Sequence, residues 1–262
     1  MLDKEAILSE TLQKNVFSTR IDKDNAYIFT LSDLHVGASS LPYLKSLIEF
    51  ISNIDNAYVI VSGDLLNNTT KNSVGSVLEE YASGTEQVKL AVELLTPIKS
   101  KIVAIVGSGN HERRSQLDCY ITLTEMVATL LGIPEKYTYE FAIGYINCKD
   151  VCYIYTDIHK HNRALDYYDY FNADILITEH THQLNFHEKV VINHNKYTKK
   201  PAFKTVYRIE NGSALAYPSY SKIGGMKPLP IGMYVVEVSG KKHDIKIWKD
   251  SDLYNALERG YK

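Results

Sequence analysis

The chain has 262 residues, enough to bury roughly three quarters of its unfolded surface, and its 45% apolar and 23% charged composition excludes a disordered or fibrous protein. The net charge of −2 conceals a division: residues 1–186 hold 15 Lys and Arg against 24 Asp and Glu, whereas 187–262 hold 14 against 7. The charged opening MLDKEAILSETLQKN lacks the apolar core of a secretory signal, and no run approaches the ~18 apolar residues of a membrane span, so a soluble cytoplasmic protein is expected.

In chain order, the first strong strand signal covers about 26–32, within YIFTLSDLHVG. On an extended chain Asp33 and His35 would share a side, and both are metal-ligand types, although a capping Asp beside a surface His gives the same pattern. A helix is expected at about 41–54, then a strand at about 57–62 running into Gly63-Asp64. The segment at about 84–98 opens on the cap-like Thr85-Glu86, sets Val88, Leu90, Ala91 and Leu94 near one helical face, and meets Pro97 at its end. A strand at about 102–106 leads into GNHERR, followed by a helix at about 116–131. Strands alternating with helices predict βαβ units and a parallel sheet.

Two later stretches add imidazoles: YIYTDIHKHN offers His159 and His161, and ADILITEHTHQ offers His180 and His182. From about 187 onward the chain is basic and β-rich. There HNKYTKKPAFKTVYR interleaves lysines with rings, which suits a phosphate backbone and equally suits a solvated hairpin guarded by lysines. His187, His194 and His243 read as surface residues. Cys119, Cys148 and Cys152 are odd in number and lack CxxC spacing, so they read as reduced core residues. No linker or repeat divides the chain, which reads as one domain, 1–262. Candidate ligands stand at the carboxyl ends of five strands, where an α/β sheet forms its functional crevice.

The ordered set DLH, GD, GNHE, H and EHTH resembles the blocks D-x-H, G-D, G-N-H-[E/D], H and G-H-x-H of the calcineurin-like metallophosphoesterases, over about residues 27–240. The stretch IENGSALAYPSYSKIGGMKPLP is similar to the tail of phage-encoded members, which would place the protein in a host-cell cytoplasm. The resemblance implies a four-layer α/β/β/α sandwich with two central mixed β-sheets, and a pair of divalent ions. It assigns Asp33, His35, Asp64 and His182 to one ion and Asp64, Asn110, His159 and His180 to the other, with Asp64 bridging and His161 as the alternative to His159. Carboxylate, amide and imidazole donors without thiolates suit Mn²⁺ first, with Fe²⁺, Zn²⁺ or Ni²⁺ as alternatives.

The implied reaction is hydrolysis of a phosphate ester by metal-bound hydroxide, with a phosphodiester in DNA, RNA or a nucleotide as the expected substrate and a phosphomonoester as the alternative. A scaffold that has lost its metal would lack ligands, and none is missing. His111 is expected to face the crevice with a near-neutral pKa, protonating the leaving group or stabilising developing charge. Arg113 and Arg114 are candidates to clamp a phosphate, and Lys199 and Lys200 to guide a polynucleotide. Glu179 stands where the family has Gly, which implies a local backbone difference; its side chain is expected to point to solvent rather than to brace an imidazole.

Overall fold

The computed structural model describes residues 4–71, 73, 77–159, 171–194, 197–215, 222, 225 and 227–261. Its elements in chain order are α1 (Lys4–Leu12), β1 (Val16–Ile21), β2 (Asn25–Ser32), α2 (Leu41–Ser52), β3 (Ala57–Ser62), α3 (Gly84–Leu95), β4 (Ile102–Val106), α4 (Asn110–Cys119), α5 (Leu123–Leu131) and β5 (Tyr137–Thr138). There follow β6 (Ala142–Cys148), β7 (Val151–Ile158), β8 (Ile175–Thr178), β9 (Asn185–His194), β10 (Pro201–Glu210), β11 (Tyr234–Ser239), β12 (Ile245–Lys249) and a C-terminal helix, Asp250–Glu258.

Two mixed six-stranded sheets result, one ordered β1-β6-β7-β8-β10-β9 and the other β12-β11-β2-β3-β4-β5. Side chains on a strand alternate between faces, and β2 uses both. Tyr27, Phe29 and Leu31 pack with α2, α3, α5 and the C-terminal helix, whereas Ala26 and Ile28 pack against Tyr153, Tyr155, Ile175 and Ile209 of the other sheet. The second sheet is therefore apolar on both faces and lies between a helical layer and the first sheet. β2, β3 and β4 run parallel, as do β7, β8 and β10.

Several sequence expectations shift at element ends. The helix expected over 84–98 stops at Leu95 and tightens into a 3₁₀ turn, Thr96–Lys101, around Pro97; its capping box joins Ser83 to Glu86. The helix expected over 116–131 is two helices, starting at Asn110 and broken at Tyr120, which takes a left-handed conformation (φ +59°) that ends α4. Cys148 is buried, but Cys119 and Cys152 are exposed: Cys119 ends α4, and Cys152 lies on the outer face of β7, next to inward-facing Tyr153. Among the described residues no helix is long and apolar enough to cross a membrane.

The basic C-terminal stretch forms a long hairpin. β9 and β10 pair over ten residues each, but β10 joins β8 only from Tyr207 to Glu210. The remainder of the hairpin extends beyond β8.

Gly144 explains itself by close approach. It sits opposite Tyr155 in the β6–β7 pair, and a Cβ there would lie 1.7 Å from the Tyr155 ring, which is fully buried. Gly144→Ala should therefore displace the ring and cost about 1–3 kcal/mol, the usual penalty of overpacking. A fall in the urea midpoint at unchanged slope would register it; an unchanged midpoint would show that the inter-sheet core is looser than this packing.

Candidate metal centre

The chemistry-bearing residues follow the last residues of β2, β3, β4, β7 and β8, all at one end of the paired sheets. Their backbone is not extended. Asp33, His35, Asp64, His180 and His182 all have positive φ (+47°, +46°, +47°, +79° and +56°), a region that costs an L-residue about 1–2 kcal/mol. Such conformations persist only where the surroundings over-determine them. Here the Asp33 amide donates to Gly63 O (3.0 Å), the His35 amide to Asp64 O (2.9 Å) and the Gly63 amide to Val106 O (3.0 Å), so each loop is stitched to the next. Ser213 Oγ and the Ala214 amide both donate to Asp33 O, at 2.8 and 3.1 Å. Asp33 and His35 thus converge through left-handed turns, not through the shared side of an extended strand.

Among the described residues three groups of donors could hold an ion: Asp33, His35 and His182; His35, Asp64 and His111; and Asp64, His159 and His180. Asp64 belongs to two of them, which is the arrangement expected of a bridging carboxylate. In the first group His182 Nε2 lies 3.2 Å from Asp33 Oδ1 and 3.1 Å from His35 Nε2. In the last, Asn110 Oδ1 lies 2.8 Å from His180 Nδ1 and 3.4 Å from His159 Nε2, with Asp64 Oδ2 3.8 Å from the same Nε2. The donors fit divalent cations for a physical reason: ring nitrogens and carboxylate oxygens crowd together face to face, and the buried Asp33 Oδ1 has no hydrogen bond. His161, the alternative to His159, falls outside the described residues.

The calcineurin-like phosphoesterase model matches residues 27–250, most of the chain. The chain belongs to the calcineurin-like phosphoesterase family. A search of curated proteins finds no significant match. Among solved structures the chain is similar to Vps29 complexed with Zn²⁺ from Entamoeba histolytica (15% identity, 85% of this chain and 97% of that one, TM-score 0.41). It is also similar to vacuolar protein sorting 29 from Cryptosporidium parvum (14%, 87% and 98%, TM-score 0.43) and to a predicted phosphoesterase from Streptococcus pneumoniae (13%, 88% and 92%, TM-score 0.39).

The electrostatics of this phosphoesterase centre are those of a buried acidic cluster. Burial raises Asp64 well above the usual carboxylate range; His159 offsets this in part, while Glu112 and Asp33 add to it. Asp33 is also fully buried, yet His182, His159 and the His180 amide hold its pKa below the ordinary value. Burial, with His111 and His182 beside it, drives His35 well below the usual range. For His159 burial disfavours the charge, but Glu179 and Asp64 outweigh it and lift the pKa to about 10. A cation is what these carboxylates call for.

Around the donors stands a supporting layer that the motif reading passed over. Glu112 is buried and accepts from the Asp64 amide (3.0 Å), the Leu65 amide (2.8 Å) and Thr124 Oγ1 (3.0 Å), so it fixes the loop that carries Asp64. It occupies the last place of GNHE, a position that could have suggested it. Ser62, just before the Gly63-Asp64 pair, lies on Asp157 and, at 2.7 Å, on Glu179 Oε1. A hydroxyl has one proton to give. One of these two carboxyls therefore keeps its own, in line with burial raising both pKa values.

Glu179 is 1% exposed and not at the surface as expected. Its backbone does not enter the left-handed region, which falls on His180 instead, so the conformational freedom of the family's Gly is not used here. His111 also departs from expectation. Its Nδ1 meets Asn67 O, and Arg114 brings NH1 to 3.0 Å from Nδ1 and NH2 to 3.0 Å from Nε2. Burial and that guanidinium push its pKa down to about 3, so the ring is neutral rather than near its titration point.

Arg114 also donates to Asn67 O at 3.0 Å, and Arg113 is exposed. Lys199 and Lys200 are exposed at the hairpin turn. That turn lies at the start of β10, whose far end adjoins the His180 loop, so about 30 Å of strand separates the two lysines from the donors. His187 stands 3.1 Å from Asn185 Nδ2, and His243 stacks on Tyr153 with its Nε2 3.2 Å from Asp174. The side chain of His194 lies outside the described residues.

Glu112→Ala would orphan two buried amides. The expected loss is about 2 kcal/mol or more, with weaker Mn²⁺ binding because the Asp64 loop is released. Urea unfolding with and without chelator, alongside Mn²⁺ titration, checks both effects; a variant as stable and as tightly metallated as the parent would remove Glu112 from the support of the site.

Proposed function

We propose that the protein is a metal-dependent phosphodiesterase acting on a nucleic acid or nucleotide. The observation that carries the hydrolase reading is the set of adjoining donor groups, linked through His35 and Asp64, at the carboxyl ends of five strands. Asp33, His35, Asp64 and His182 would hold one divalent ion, and Asp64, Asn110, His159 and His180 the second, with Mn²⁺ as the first candidate. Two such ions supply a nucleophilic water at neutral pH and charge for the phosphoryl oxygens.

The chain's own residues divide the remaining work. Of the two tasks open to His111, the geometry supports charge stabilisation over proton delivery. With Nδ1 against Asn67 O, the neutral ring turns its Nε2 lone pair to Arg114. His111 and Arg114 then act as a unit, the imidazole holding the guanidinium and the guanidinium carrying positive charge toward the substrate. Arg113 is a further phosphate contact in this reading.

His111→Ala should retain metal and lose about 10²–10³-fold in kcat, the worth of one preorganised charge-stabilising group. Asp64→Asn should instead lose metal and hydrolysis of bis-p-nitrophenyl phosphate together. Metal analysis beside kinetics separates the two variants: full activity in Asp64→Asn would sink the dinuclear reading, and parallel loss of metal in His111→Ala would make His111 a ligand.

A polynucleotide is favoured as substrate by the hairpin. Lys199 and Lys200 are exposed beside Tyr197 and Phe203, which are 83% and 74% exposed and offer stacking surfaces. Lys204 is spoken for by Asp174 at 3.0 Å, and Lys196 lies outside the described residues. At about 30 Å, a duplex would need roughly nine base pairs to touch both ends. Replacing Lys199 and Lys200 by Ala should weaken cleavage of long DNA or RNA and reduce the salt slope by about two, leaving a small diester unaffected. A panel of DNA, RNA, cyclic nucleotides and phosphomonoesters with Mn²⁺ reads this directly. No change on any polymer, with faster turnover of monoesters, would replace this substrate class by a phosphatase.

A further inference from the structure

His159 places its two ring nitrogens against opposite demands. Nε2 faces Asn110 Oδ1 at 3.4 Å and Asp64 Oδ2 at 3.8 Å and accepts from the Asn110 amide at 3.4 Å; Nδ1 faces Glu179 Oε1, also at 3.4 Å. A neutral imidazole carries its proton on one nitrogen only. With nothing on the Nδ1 side, the Asn110 amide alone would oppose the Asp64 and Asn110 oxygens, which draw the proton to Nε2 and remove the lone pair that an ion needs there. A buried carboxylate at Nδ1 reverses that preference.

The packing leaves the ring little other choice. Gly63, at φ +31°, lies so close that a Cβ on it would stand 2.1 Å from His159 Nδ1. Glu179 is in turn oriented by Ser62 Oγ, which donates to the same Oε1 at 2.7 Å.

We propose that Glu179 is a positioning residue that fixes His159 as its Nδ1–H tautomer and thereby strengthens the second metal subsite selectively. The inference rests on the dinuclear reading above. It assigns a task to a side chain that the family's Gly does not supply, and it predicts an affinity difference between the subsites that Glu179 controls.

The test is calorimetric titration of the full-length, chelator-treated protein with Mn²⁺ alone. The parent should bind two ions. Glu179→Gly should weaken one site about 10–100-fold, the usual effect of removing a carboxylate behind a metal-bound imidazole, and leave the other unchanged. Glu179→Gln, whose amide oxygen accepts from both Ser62 and His159, should keep both sites near parental affinity. Glu179→Asp retains the charge but withdraws it by one methylene, and should resemble Glu179→Gly; this variant and the Gln variant decide the matter if the Gly variant does not fold. Parental affinity at both sites in Glu179→Gly and Glu179→Asp, or a Gln variant as weak as the Asp one, overturns the assignment while leaving the dinuclear centre intact. A parent that binds no Mn²⁺ pair overturns the dinuclear reading itself, and this inference with it.

Discussion

The constraint on which the rest of the molecule depends is the burial of like charges. Asp33, Asp64, Glu112, Asp157 and Glu179 are each no more than 1% exposed and gather where the two sheets meet. Two unit charges 4 Å apart repel by about 4 kcal/mol at an effective dielectric of 20, so such a group survives only if protons, amides, imidazoles or cations meet it. The structure uses several of these. Backbone amides of Asp64, Leu65, His111 and His180 point at carboxylates, Ser62 ties two of them together, and His159 stands between Asp64 and Glu179.

This arrangement couples the centre to the packing of the sheets. The second sheet brings Asp33, His35, Asp64 and Asn110; the first brings His159, His180 and His182. Two of the three donor groups draw on both sheets. The apolar layer between them, from Ile28 and Ile60 on one side to Tyr155 and Ile177 on the other, sets the distance across which the groups close. Contacts such as Gly63 against His159 depend on that distance, as does the hydrogen bond from the His180 amide to Asp33 Oδ2 (3.0 Å). Binding ions there would stabilise the interface by mass action.

The left-handed residues belong to the same economy. A strand that must stop, turn and present a side chain within two residues has few conformations to choose from, and glycine would make the turn easily but bring no ligand. Asp and His accept the conformational cost, and the loop-to-loop hydrogen bonds hold them in it. Of the nine non-glycine residues with positive φ among those described, five are donors at this convergence.

Much of this was legible in the residues themselves. The strands at 26–32, 57–62 and 102–106 are apolar runs, and each gives way to Asp, Asn or His because a sheet end is where polar groups regain room; order and spacing then carried the family. The sequence alone also showed the basic C-terminal portion and its rings. What only the tertiary structure decided follows from neighbours distant in the chain. Glu179 turns inward because Ser62 and His159 stand beside it, 117 and 20 residues away; His111 stays neutral because its burial leaves Arg114 as its companion. One uninterrupted helix was expected where Tyr120 splits two, and two cysteines expected inside face water, since a strand's outer face and a helix's last residue depend on what packs there. Residue type determines which chemistry a position can offer, but the dielectric, the partner and the direction a side chain faces are properties of the assembled fold.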